Sequence, residues 1–403
     1  MQGTLFAPVS VGANRRRAHH SCAARRRCQL QPSPQRVLQL MPPRHSRRRH
    51  RGAHSAAATA ATPPLPPPPP NLGRYAATTV AISTLACLFL APASLAVTPF
   101  ARAAVAASFG GVVAAGGLAK GALSPAGAAA GCAVGVATML SGPPFAAALL
   151  SFFVSSSRWT AFGAARKAAV EANYVPGAGR RSAGQVLANA GVPTLCAAAF
   201  ASWRAWGTRD ATSALGATLA VATTSGAAFP PALLCQALSA AALAYYACCC
   251  GDTWASEIGV MSRVPPILIT TLKPVPPGTN GGVSLLGTAA SCAGGLFVGA
   301  AFGAATLLLP LSSRPLFPPP LAACLLGLAA GFGGSMIDSL LGATVQYSGV
   351  DEATGKVYNK PKPGLNLTKT GGIDVVTNSA VNFISATASA VAAAAAWALL
   401  LSR

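Results

Sequence analysis

The chain has 403 residues, 52% of them hydrophobic and only 9% charged, with a mean hydropathy of +0.48; soluble domains carry about 25% charged residues, so an ordinary soluble protein is excluded. The formal net charge of +22 would suit nucleic acid, but residues 1–74 hold 13 of the 30 basic residues and none of the eight acidic ones, so no nucleic-acid partner is expected of the remainder. All five histidines (His19, His20, His45, His50 and His54) fall in that same segment; without it the chain has none for Ser/His or Cys/His catalysis or for zinc.

Residues 1–74 are rich in arginine and alanine and include a proline run from Pro63 to Pro70. Such a segment cannot bury enough apolar surface to fold. An acid-free, Arg-rich start is the signature of an organellar transit peptide, here followed by a Pro-rich linker, and composition alone fits a plastid or a mitochondrion. Residues 75–403 then read as one integral membrane domain, an all-α polytopic bundle. Apolar runs fall at 76–97, 103–119, 125–154, 185–206, 212–228, 231–250, 284–309, 319–343 and 376–401. With about 20 residues needed per crossing, they predict eight or nine spans. The run 125–154 carries Gly142-Pro143-Pro144 and reads as two short helices or one re-entrant hairpin. Alanine and glycine recur throughout, which lets helix backbones approach closely in lipid. Cys248-Cys249-Cys250 and most other cysteines lie in these runs and read as small hydrophobes.

Three polar loops interrupt the runs. The first, 155–184, contains Arg158, Arg166, Lys167, Glu171, Arg180 and Arg181, with Glu171 placed to pair with Lys167 four residues earlier. The second, 251–283, and the third, 344–375, are two spans apart and share a membrane face. Three runs separate the first loop from the second, which puts Arg180 and Arg181 on the opposite face unless an intervening segment is re-entrant.

The second loop holds the densest chemistry: Gly251-Asp252-Thr253-Trp254-Ala255-Ser256-Glu257-Ile258-Gly259, then Leu272-Lys273-Pro274-Val275-Pro276-Pro277-Gly278-Thr279-Asn280-Gly281-Gly282. Carboxylates are costly at a bilayer boundary. Together with a point-charge lysine and bare backbone amides, they suit a divalent cation and a phosphate-bearing substrate. On a helix Asp252 and Glu257 diverge by about 140°. A shared Mg²⁺ therefore needs a break at Gly251 or a helix start there; otherwise Asp252 takes the metal and Glu257 a second metal, a water or Lys273. A cap role for Asp252 is the plainer alternative. Asn280-Gly281-Gly282 admits positive φ and opens backbone N–H groups to a ligand, although a tight connection between helices would use the same residues. No G-x-x-x-x-G-K-[ST] phosphate loop occurs. Asp338 lies in the apolar stretch from Gly331 to Gly342, with Ser335, Ser339 and Gly342 on its helical face. There it requires a cation, a hydrated cavity or hydrogen bonds from neighbouring helices. Acids, a lysine and glycine loops without histidine fit metal-assisted phosphoryl transfer. An acceptor that is itself a phosphate monoester is already ionised near neutral pH and needs no general base.

Six motifs occur in order: Phe152-Phe153 with Ser155-Ser156-Ser157 and Thr160; Gly179-Arg180-Arg181 with Gln185-Val186-Leu187-Ala188-Asn189; Gly251 to Gly259; Lys273 to Gly282; Gly333-Gly334-Ser335 with Asp338; and Asn378 with Asn382. Through them, residues 120–385 resemble the family of multi-pass membrane proteins that includes phytyl-phosphate kinase of chloroplast tocopherol (vitamin E) biosynthesis. The resemblance implies transfer of a phosphate from CTP, or another nucleoside triphosphate, to phytyl phosphate in a chloroplast membrane. The product would be phytyl diphosphate, for tocopherol biosynthesis and phytol salvage. The Gly-Asp-Thr-x-Ala-Ser core is also similar to that of CTP-dependent polyprenol and dolichol kinases.

On this reading Asp252 and Asp338 bind Mg²⁺ and the nucleotide phosphates, with Glu257 as a metal or water partner. Lys273, Gly278, Thr279, Asn280, Gly281 and Gly282 cradle phosphate, and Gly251, Thr253, Ser256 and Ser335 complete the nucleotide site. Arg180, Arg181 and Asn189 take the second phosphate group, followed by Asp374, Asn378 and Asn382. The apolar bundle admits the prenyl chain from membrane lipid. Two departures from the family pattern are Gly177-Ala178-Gly179 and the alanine-rich C-terminus. A membrane transporter for a phosphorylated or lipidic solute is the rival reading; it calls for internal repeat symmetry, and none is visible.

Overall fold

The computed structural model describes residues 73–75, 77–79, 98–172, 174, 180–207 and 231–401. Among these are eight long α-helices: α1 (Pro99–Ala119), α2 (Pro125–Ser141), α3 (Pro143–Val170), α4 (Ala183–Gly207), α5 (Pro231–Gly259), α6 (Leu285–Thr306), α7 (Pro320–Val345) and α8 (Asn378–Leu401). By length and composition α1, α4, α5, α6, α7 and α8 can each cross a membrane, and α2 is a shorter apolar helix. Residues 1–72, Asp210, the run 212–228 and most of the run 76–97 lie outside the described residues.

Local chemistry fixes the helix ends. Thr98, Ser124 and Ser284 cap α1, α2 and α6, each accepting from a backbone N–H three residues on. Prolines open α1, α2, α3 and α7, where a missing N–H costs nothing. The run 125–154 is divided at Gly142, whose φ of 153° no other residue adopts readily. Pro143 and Pro144 then start α3, so two helices form, but the second is not short: it is 28 residues long and takes up 155–170 of the expected first loop as helix.

Helix α5 is the centre of the bundle and packs against α3, α4, α6, α7 and α8. Every residue from Ser239 to Gly251 is buried, including Tyr245, Tyr246 and all three consecutive cysteines. A helix apolar all round is a core helix. Helices α6 and α7 meet along small residues four apart: Ser291, Gly295, Gly299 and Gly303 against Ala323, Gly327, Gly331 and Ser335. Gly251 of α5 joins that seam, where a Cβ would stand 2.8 Å from Gly331 Cα and 2.9 Å from the Ser291 carbonyl. Three backbones thus cross one residue before Asp252 and one turn before Ser335.

Two small sheets sit in the loops. β1 (Ile267–Leu268) pairs antiparallel with β2 (Gly282–Val283). The loop 344–375, expected only as polar, folds into an antiparallel sheet of β3 (Ser348–Asp351) flanked by β4 (Val357–Tyr358) and β5 (Leu367–Gly371).

Candidate functional site

A cavity of about 700 Å³ opens where the three polar loops meet. The first turns of α4, α6 and α8 and the C-terminal halves of α3, α5 and α7 wall it, together with residues 277–283 and Gln346, Tyr347, Asn359 and Lys360. Asp252 and Asp338 both line it. Helix α5 runs unbroken through Gly251 to Gly259, so Asp252 is neither a cap nor next to a break. Ser335 precedes Asp338 by three residues on α7 and donates to Asp252 Oδ1 at 3.4 Å. Ser385 of α8 donates to Asp338 Oδ2 at 3.1 Å. The serines bring the two aspartates, 86 positions apart in the chain, to the same wall.

Glu257 lines the same cavity but is engaged with another helix. Its Oε1 accepts from Lys167 Nζ of α3 at 2.9 Å, with both side chains largely buried (6% and 15% exposed). Its Oε2 is buried without a hydrogen-bond partner among the described residues and lies against Gly163, where a Cβ would be 2.9 Å away. Glu171 joins the cluster: burial pushes its carboxyl above the usual range, Lys167 pulls it back and Glu257 raises it again. Two expectations are therefore corrected. Glu257 pairs with Lys167 rather than with Lys273, and the ion pair of Lys167 is with Glu257, 90 residues away, rather than with Glu171. Lys167→Met should leave a buried carboxylate uncompensated, at a cost of about 3–5 kcal/mol. The checks are a lower thermal midpoint in detergent and partial recovery when Glu257→Leu is added.

The glycine-rich loop is arranged differently from the expected amide cradle. Gly278 and Gly281 have φ of 91° and 75°. The Asn280 N–H, however, donates to Ser348 Oγ, that of Thr279 to the Pro276 carbonyl and that of Gly282 to the Thr279 carbonyl. Asn280 Nδ2 donates to the Tyr347 carbonyl. Gly281 is bare because α7 passes there, with Ala343 N 2.6 Å from where its Cβ would be. The loop lines the cavity as a rigid wall clamped to β3 and α7, and those three amides are already used.

Thr253, Ser256, Asn189, Arg181, Ser335, Asp374, Asn378 and Asn382 line the cavity as expected residues of the site. The hydroxyls of Thr253 and Ser256 donate to carbonyls of α5 itself. Lys273, Arg180 and Gly251 do not line it. Lys273 is exposed between β1 and β2, Arg180 is exposed before α4, and Gly251 is a packing contact. Arg181 reaches the cavity because α4 leaves this end of the bundle and α5 returns to it. The opposite-face placement is thereby corrected, since Arg181 lines the same cavity as Asp252 and Asp338. Sequence reasoning missed Lys360, the pairing role of Lys167, and Ser385. Lys167 carried an i,i+4 signal toward Glu171 that masked its distant partner, and no local signal marks the other two.

The lining side chains comprise three cations (Lys167, Arg181, Lys360) and five carboxylates (Glu171, Asp252, Glu257, Asp338, Asp374), a formal net of −2. Such a hollow repels a bare triphosphate and accepts one accompanied by a divalent cation. Among the described residues no group of three or more His, Cys, Asp or Glu is gathered to hold a metal by itself. Two aspartates without a further cage fit Mg²⁺, which is usually held by one or two carboxylates with substrate phosphates and water.

The family profile described as "Integral membrane protein DUF92" matches residues 108–390 of the chain. Protein PGR of Arabidopsis thaliana is 36% identical over 241 residues, covering 60% of this chain and 77% of that protein. An uncharacterized membrane protein of Methanocaldococcus jannaschii is 33% identical over 122 residues, 30% of this chain and 43% of its own length. One from Synechocystis is 37% identical over 95 residues, 24% of this chain and 33% of its own. No solved structure matches.

Proposed function

This chain belongs to the DUF92 family of integral membrane proteins, and from that footing we propose that it is a phosphotransferase acting at the membrane. Its donor is CTP or another nucleoside triphosphate, its acceptor phytyl phosphate, and its product phytyl diphosphate for tocopherol biosynthesis and phytol salvage. The observation that carries the reading is the meeting of Asp252 and Asp338 in one cavity of net negative charge, with Lys167 and Arg181 on its wall. The Arg-rich, acid-free start supports delivery to an organelle, and the family resemblance favours a chloroplast membrane.

The geometry supports the following roles. Asp252 and Asp338, each held by a serine hydroxyl, are positioned to bind Mg²⁺ with the nucleotide phosphates. When bound, the metal would neutralise charge on the transferring phosphoryl group. Lys167 offsets negative charge at the floor while tethered to Glu257. Arg181 receives the acceptor's phosphate, which is already ionised near neutral pH, so no side chain has to remove a proton. The clamped loop 277–283 excludes water from one side. Purified protein given phytyl phosphate, Mg²⁺ and each nucleoside triphosphate in turn should form phytyl diphosphate, and chelation of the metal should abolish formation. Absence of product with every nucleotide, from protein that remains folded, would overturn the proposal.

A further inference from the structure

A second hollow, apolar and small (about 40 Å³), lies among α1, α2, α3 and α4. Val113, Leu123, Val134, Leu149 and Val186 supply its greasy walls, and it shares Phe152, Arg181 and Asn189 with the polar cavity. Arg181 is built rigidly into this junction. Its backbone N–H donates to the Ala122 carbonyl at 3.0 Å and its own carbonyl accepts from Ser124 N–H at 3.1 Å. Its guanidinium donates to Ser157 Oγ at 2.9 Å and lies 5.7 Å from the Phe153 ring centre. Among the described residues no carboxylate forms a salt bridge with it; burial disfavours its charge, and the carboxylate that offsets this, Glu257, is already bridged to Lys167. A desolvated guanidinium whose offsetting carboxylate is shared with a lysine leaves room for an anion. Here that anion would sit with polar groups on one side and a hydrocarbon-lined hollow on the other.

We infer that this junction is the acceptor port: the monophosphate of an amphiphile docks on Arg181 while its first carbons occupy the α1–α4 hollow. The inference deepens the kinase reading and rests on it for the identity of the amphiphile. The hollow has room only for carbons next to the phosphate. Val112 beside Val113 and Leu187 beside Val186 are exposed, so the rest of the chain passes outward over apolar helix faces into lipid. Charge complementarity at Arg181 selects a phosphate-headed lipid over a neutral one. The shared residues place that phosphate on the rim of the cavity that holds Asp252 and Asp338.

The test is photo-crosslinking without nucleotide. Full-length protein in detergent is irradiated with an alkyl monophosphate carrying a diazirine near its phosphate, and the labelled peptides are identified by mass spectrometry. Label is expected on α1–α4 around Val113, Val134 and Val186. Gly131→Leu should reduce it about tenfold. A Cβ at Gly131 meets only Leu123 Cδ1 at 3.6 Å, so the plug grows into the hollow without a backbone clash. Arg181→Gln should reduce labelling by the phosphate probe but not by the matching alcohol. Label confined to other helices, or undiminished in both variants, would overturn the inference. If a variant fails to fold, the wild-type label map still decides. Because no nucleotide is used, label at the port without any diphosphate synthesis would count against the kinase reading alone, and diphosphate synthesis with label elsewhere against the port alone.

Discussion

Asp252→Asn is expected to lower diphosphate formation by two to three orders of magnitude, about 3–4 kcal/mol of transition-state stabilisation, while the protein still inserts and folds. The side chains are the same size, and an asparagine oxygen can still accept from Ser335 Oγ, as Asp252 Oδ1 does at 3.4 Å. What disappears is one of the two aspartate charges proposed to hold the metal with its nucleotide. The formal charge of the cavity moves from −2 toward −1, so a bare nucleotide is repelled less, yet the cation it must arrive with is held by one aspartate. Turnover should fall more than nucleotide affinity, and higher Mg²⁺ should restore part of the rate. Asp338→Asn should behave alike. Asp351→Asn is the control: Asp351 lies in β3, where it accepts from Ala353 N–H and the Thr354 hydroxyl and does not line the cavity, so the rate should be unchanged. Turnover at saturating nucleotide, with thermal midpoints for each variant, checks all three.

The second large effect concerns a residue that touches no substrate. Gly331→Ala should destabilise the protein and slow it, whereas Gly333→Ala, two residues along the same helix, should do neither. An alanine in place of glycine within a helix gains up to about 1 kcal/mol from propensity, and at Gly333 nothing lies within 4 Å to oppose that gain. At Gly331 the added Cβ would stand 2.7 Å from both Gly295 Cα and the Ser291 carbonyl, atoms of the α6 backbone that cannot rotate away. Overpacking of this kind costs about 1–3 kcal/mol, so the clash outweighs the propensity. Relief comes only by moving α7 off α6, which also moves Ser335 and Asp338 relative to Asp252. A misplacement of about 1 Å can cost on the order of a hundredfold in rate. Paired melting curves and turnover numbers for the two alanine variants read both consequences.

The helices were legible because their signals are local. Apolar runs of crossing length and the Gly142-Pro143-Pro144 break sit in the very residues they govern. The positive φ at Gly281 was likewise legible in Asn-Gly-Gly. The pairings at the site were less so. Glu257 and Lys167 are 90 residues apart, and a closer acid offered itself at Glu171. Lys273 looked like the phosphate lysine because it adjoins the glycine loop, yet the turn through β1 and β2 leaves it outside while Lys167 and Lys360 line the cavity. The amides of residues 278–282 looked open because glycine and asparagine permit it. Whether an amide stays open depends on what packs there, and Ser348, from the third loop, takes the one on Asn280. Spacing along the chain could place Asp252 and Asp338 on exposed helical faces but not on facing ones. That required the α5–α6–α7 crossing at Gly251, Ser291 and Gly331.

The most direct measurement follows the phosphate itself. Protein reconstituted in liposomes is supplied with γ-labelled nucleoside triphosphate, Mg²⁺ and phytyl phosphate, and label is traced in lipid and aqueous fractions. The account predicts label in the terminal phosphate of phytyl diphosphate, one for each nucleoside diphosphate formed, and at least a hundredfold slower labelling with Asp252→Asn. Movement of phytyl phosphate across the bilayer with no nucleotide consumed and no labelled lipid would contradict it and mark the cavity as a transport site.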